Sequence, residues 1–71
     1  MRAVREVQIR GDTIRLGQLL KVAGIADSGG EAKTLIADGH VSVNGEIETR
    51  RGRQLRAGDE LEAAGQPLRL V

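Results

Sequence analysis

Arg50, Arg51, Arg53 and Arg56 fall within the eight residues Thr49–Arg56, TRRGRQLR, with no acid among them. Each guanidinium is a planar fork of donors matched to phosphate oxygens, so such a cluster on a folded frame suits a polyanion. The formal net charge of the 71-residue chain is only +1, which hides strong polarity along it. Met1–Ala26 carries five cations and two acids, Asp27–Glu48 one cation and five acids, and Ala57–Val71 one cation and three acids. Arg56 borders a turn signal and can instead pair with Asp59 or Glu60.

Other side chains offer less chemistry. There is no cysteine and one histidine, His40, so no disulfide framework, thiolate metal site or histidine cluster is available, and no metal or cofactor is expected. His40 follows a helix-ending glycine and reads as a capping or surface residue. Ser28 and Glu31 form a helix cap without a base that activates the serine, and Asp59-Glu60 opens a strand without a third catalytic group. No enzyme is expected. With no Phe, Tyr or Trp, the ring-stacking route to single strands is closed. A nucleic-acid binder built from these residues reads backbone and shape.

The elements that must hold the cluster follow from spacing. Alternation over Ala3–Arg10 predicts a strand, broken at Gly11-Asp12. Leu16, Leu19, Leu20 and Ala23 recur on one face of a short helix that Gly24 ends. Ser28 and Glu31 make an S-x-x-E capping box for a second helix, with Ala32, Leu35 and Ile36 inward, Lys33 outward and Gly39 as terminator. Asn44-Gly45 suits a two-residue hairpin joining Val41–Val43 to Glu46–Glu48. A turn at Ala57–Asp59 leads into Glu60–Glu62, and Gly65–Pro67 turns the chain into Leu68–Val71. The order is strand, helix, helix, hairpin, arginine loop, strand, strand. Residues 1–71 form one domain, near the lower size limit for folding without a staple. The longest apolar stretches are too short for a membrane helix, and MRAVREVQIR lacks a signal-peptide core, so a cytoplasmic protein is expected.

The stretch Ile14–Ala63 resembles the S4 RNA-binding domain family, named for a small-subunit ribosomal protein. The family pattern opens R-L-x-x-x-L, continues S-x-x-E-A-x-x-L-I-x-x-G-x-V-x-V-N-G and closes on G-D. The matches are Arg15-Leu16 with Leu20, Ser28, Glu31-Ala32, Leu35-Ile36, Gly39, Val41, Val43-Asn44-Gly45 and Gly58-Asp59. The double glycine after Ser28 and the run Glu48–Arg53 look most like small stand-alone bacterial members. The resemblance implies an α+β fold, two short helices on a small, mostly antiparallel sheet with a central hairpin, the alpha-L motif. It implies that the helices and the basic loop dock on structured RNA, ribosomal or transfer, with a protein partner possible. The expected contacts are Arg50, Arg51 and Arg53, flanked by Lys33, Arg15 and Lys21. Lys21 can equally serve as a helix C-terminal cation. Where many members carry a basic residue after the serine, Gly29 and Gly30 stand. They remove one phosphate ligand, and they bare a helix N-terminus whose N–H groups can hold a phosphate.

Two other readings use the same residues. VSVNGEIETRRGRQLRAGDELE is also similar to ubiquitin-like sulfur carriers, but those work through a C-terminal Gly-Gly, and this chain ends Pro67-Leu68-Arg69-Leu70-Val71. A protein-interaction module would use Glu46, Glu48, Glu60 and Glu62 as an acidic face, without an aromatic anchor to recommend it.

Overall fold

Leu16, Leu19 and Leu20 are fully buried and Ala23 nearly so, as their spacing requires. They belong to helix α1 (Leu16–Val22) and its C-cap in the computed structural model, which describes residues 3–71. Gly24 at φ +75° ends the helix. The Ile25 N–H bonds the Leu20 carbonyl and the Gly24 N–H that of Lys21, a Schellman closure. Helix α2 (Gly29–Ala37) ends the same way: Gly39 lies at φ +82°, and the N–H groups of His40 and Gly39 bond the carbonyls of Leu35 and Ile36. His40 is therefore a capping residue through its backbone, with an exposed side chain. At the start of α2 the Glu31 N–H donates to Ser28 Oγ at 3.1 Å. The Glu31 carboxylate makes no return bond among the described residues, so half of the capping box forms.

The strands are β1 (Arg5–Val7), β2 (Ile14–Arg15), β3 (Val41–Val43), β4 (Glu46–Ile47), β5 (Gln54–Leu55), β6 (Glu60–Ala63) and β7 (Gln66–Leu70). Five make one sheet in the order β1-β7-β6-β3-β4, antiparallel except that β1 runs parallel to β7. The β3–β4 hairpin turns at Asn44-Gly45 with both φ angles positive, as a type I′ turn demands. Asn44 does more than turn. Its carboxamide donates to Asp59 Oδ1 and accepts from the Glu60 N–H, tying the hairpin to the start of β6.

The strand layout differs from the sequence reading in three places. The strand expected over Ala3–Arg10 shrinks to Arg5–Val7, paired with Leu68–Leu70 at the sheet edge, with one further backbone bond from the Ile9 N–H to the Val71 carbonyl. Arg5 fastens it to α1, its guanidinium donating to the Ala23 carbonyl at 2.7 Å. The turn expected at Gly65–Pro67 lies earlier, at Ala64-Gly65, again with both φ angles positive. Pro67 is inside β7 opposite Glu62, a non-hydrogen-bonded pair that needs no proline N–H. Finally, β2 and β5 pair as a separate two-stranded ladder, Ile14 with Leu55 and Arg15 with Gln54.

The helices pack against each other and close over the sheet's inner face, where Ile36, Val41, Val43, Leu55, Leu61, Leu68 and Leu70 join α1 in one core. Leu35 sits at its margin, half-buried. Leu35→Ala is thus expected to lower unfolding free energy by about 1–2 kcal/mol in urea titrations, below the ~2–5 kcal/mol for a fully enclosed leucine. A loss in the upper range would mean that Leu35 is enclosed.

Candidate nucleic-acid interface

The arginine loop is docked on the start of α1. Arg15 is the N-cap of that helix and supplies no side-chain cap. The loop does it instead, with the Leu16 N–H donating to the Arg53 carbonyl at 2.8 Å and the Gly17 N–H to the Arg51 carbonyl at 2.9 Å. A Cβ at Gly17 would lie 3.5 Å from the Arg51 Cβ and carbonyl oxygen, so loop and helix are already in contact there. Bonds that an isolated helix end leaves unmade hold the loop in place.

Glu48 fastens the loop from the other side. Its side chain is only 8% exposed. Its Oε2 accepts from Arg50 Nε at 3.1 Å and from the Arg50 backbone N–H at 3.1 Å. Its Oε1 accepts from an Arg50 terminal nitrogen at 3.2 Å and from Arg53 at 2.9 Å. Hydrogen bonds from the Arg50 side chain, then Arg53, then the Arg50 backbone lower its pKa from 4.5 to about 2, against a weaker upward push from burial. The same pairing raises the pKa of Arg50. The carboxylate's charge is thus balanced by the two guanidiniums bonded to it.

An acidic surface containing Glu48 is therefore corrected: Glu46, Glu60 and Glu62 are exposed, but Glu48 is an internal clamp. Hairpin register explains it. Ser42 faces Ile47 and Val43 faces Glu46, and the Glu48 N–H bonds the Val41 carbonyl. A strand alternates its faces, so Glu48 follows Val41 and Val43 inward while Ile47 follows Ser42 outward and is 69% exposed. The Asn44-Gly45 signal contained that register; the apolar pattern of Glu46–Glu48 pointed the opposite way.

The clamp divides the arginines. Arg50 and Arg53, 76% and 34% exposed, flank one depression with Gly52 and Gln54. Arg51 instead lines, with Gly52, a groove of about 390 Å³ between α1, the start of α2 and the loop. Arg15, Lys21 and Arg51 line it with Gln18, Gly29 and Ala32, and no acid does. Arg15, Lys21, Gly29 and Arg51 are thus brought together as the sequence suggests, whereas Gly30 and the exposed Lys33 lie outside the groove. Beside it, the N–H groups of Gly29 and Gly30 have no protein partner among the described residues, and a Cβ at Gly29 would meet nothing within 4 Å. Arg56 makes no ion pair among the described residues; its backbone N–H bonds Asp59 Oδ2 at 2.9 Å, which closes the Ala57–Asp59 turn. Gly17, Gln18, Ala32 and Gly52 complete the lining without a sequence signal, because nothing in a single sequence marks a neutral groove wall. No helix is long and apolar enough to cross a membrane among the described residues.

The S4 domain model matches residues 7–71. The chain is 44% identical over 59 residues, 83% of each protein, to the probable ribosome maturation protein RlbA of Bacillus subtilis. To the putative RNA-binding protein YbcJ of Escherichia coli it is 40% identical over 58 residues, 82% of this chain and 83% of YbcJ. The solution structure of E. coli YbcJ, described as revealing an alpha-L motif involved in RNA binding, superposes with a TM-score of 0.74 at 33% identity. It covers the whole of this chain and 91% of that one. The ribosomal protein S4e of Thermoplasma acidophilum shares the fold at a TM-score of 0.65 and 22% identity, over 84% of this chain and 32% of that one. These matches lend the sulfur-carrier reading no support.

Proposed function

The chain belongs to the S4 domain family, and from that premise we propose that it binds structured RNA by seating backbone phosphates in the groove between α1, α2 and the arginine loop. One observation carries the proposal: Arg15 at the β2–α1 junction, Lys21 on α1 and Arg51 in the loop meet in one groove that no carboxylate lines. Three cations converging without a counter-ion leave a site short of negative charge, which closely spaced phosphates supply. The partnerless N–H groups of Gly29 and Gly30 extend the same demand, since an N-terminus carries partial positive charge. Arg50 and Arg53 add charge at the rim while serving the clamp.

The RNA is ribosomal rather than transfer RNA, a choice supported by the ribosome-maturation name of the Bacillus relative. That role is a cytoplasmic one, and it is binding without a catalytic step. Crosslinking in cells followed by sequencing of the attached RNA tests the assignment. Reads concentrated on ribosomal RNA are expected; reads concentrated on transfer RNA would overturn that choice, and an absence of crosslinked RNA would overturn the function. The purified protein gives a second check. Without Trp or Tyr it barely absorbs near 280 nm, so an ultraviolet band after gentle purification reports carried nucleic acid.

A further inference from the structure

Gln18 lines two depressions at once. One is the basic groove; the other is a hollow of about 360 Å³ beside it, bounded by Ile9, Arg10, Thr13, Ile14 and Val22. Helical spacing accounts for the continuity: Gln18, Lys21 and Val22 stand at i, i+3 and i+4 on one face of α1, with Lys21 facing the groove and Val22 the hollow. Ile9 and Ile14 are partly buried against the core and give the hollow an apolar floor, while Val22 is left 61% exposed as its wall. The side chains of Arg10, Thr13 and Gln18 make no hydrogen bond or ion pair among the described residues. An apolar floor with unengaged donors and acceptors on its rim, joined to a phosphate groove, suits a nucleobase, whose faces are apolar and whose edge is polar.

Resting on the RNA reading above, we propose that this hollow receives one unpaired base of the bound RNA, while the neighbouring phosphates lie in the groove. The base lies against Ile9, Ile14 and Val22, and the Gln18 carboxamide and Arg10 guanidinium meet its edge. Aliphatic side chains thus take the place of the aromatic platform that this chain lacks. A carboxamide presents a donor and an acceptor side by side and forms a bidentate pair with adenine, which makes adenine the favoured occupant. Phosphate contacts set the affinity, and the hollow sets which unpaired position is chosen.

Three hairpin RNAs test this by fluorescence polarisation: one with a single bulged adenosine, the same hairpin with an abasic bulge, and the fully paired hairpin. The protein is expected to favour the bulged adenosine over the abasic bulge by about tenfold, the order of discrimination of one good bidentate contact. Gln18→Ala and Val22→Ser, both at exposed helix positions, should bring that ratio close to one without changing the salt slope, which counts phosphates. Equal binding of the adenosine and abasic bulges by the parent protein would overturn the base seat and leave the phosphate groove standing. A salt slope that falls with Gln18→Ala would also overturn it, by making Gln18 part of the phosphate contact. Failure of the parent to bind any of the three hairpins would bring down both readings.

Discussion

Replacing Arg15, Lys21 and Arg51 together by glutamine should weaken binding to structured RNA on the order of a hundredfold and flatten its log–log salt dependence by roughly 2 to 3. Each cation that neutralises a phosphate releases condensed counterions, and the slope counts those events at about 0.7 to 0.9 per phosphate. Stability should hardly change. Arg15 and Lys21 make no side-chain hydrogen bond or ion pair among the described residues, and neither does Arg51. Exposed charges of this kind contribute little to folding. Changing Arg50 and Arg53 instead should give a smaller flattening together with a loss of stability, because both hold Glu48. Glutamine at Lys33, outside the groove, should have the least effect. Titrations across about 50 to 200 mM salt separate these cases. If the triple variant binds like the parent with an unchanged slope, the RNA face lies elsewhere.

That division among four arginines is where reading the sequence runs out. Signals confined to a few residues were legible: the Ser28 cap, the Gly24 and Gly39 stops and the Asn44-Gly45 turn are each decided by local backbone chemistry. In the sequence the site centres on Arg50, Arg51 and Arg53, with Lys33, Arg15 and Lys21 at its flanks; which of these share one groove depends on the tertiary packing. The β2–β5 ladder was not legible, since two-residue strands carry no periodicity and the pairing of Ile14 with Leu55 spans most of the chain. Nor was the capping of α1 by the Arg51 and Arg53 carbonyls, which involves no side chain at all. Arg50, Arg51 and Arg53 read as equivalent charges because what distinguishes them is Glu48, an acid just outside the run that hairpin register turns inward.

Glu48→Gln should accordingly weaken RNA binding, although it removes a negative charge beside the basic loop. Simple electrostatics predicts the reverse: less repulsion of phosphate and two arginines set free. The geometry decides otherwise. The carboxylate accepts four hydrogen bonds from Arg50 and Arg53, and their backbone belongs to the segment that presents Arg51 to the groove. A neutral carboxamide keeps the shape but loses the charge assistance and offers only one acceptor oxygen, so the loop loosens. Weaker affinity should come with a salt slope that is not flattened, since no phosphate ligand has been removed. Acid titration checks the same clamp independently. The pKa of Glu48 in the folded protein, about 2, lies below the ordinary 4.5. Its stabilisation is therefore complete above the ordinary value and is lost as pH falls from 4.5 towards 2. The remaining carboxylates are common to both proteins, so the difference between the two isolates Glu48. The stability gap between parent and Glu48→Gln in urea titrations should thus be full near neutrality and close over that acid window. A gap that does not vary with pH, or a variant that binds RNA more tightly than the parent, would remove Glu48 from its place as the clamp.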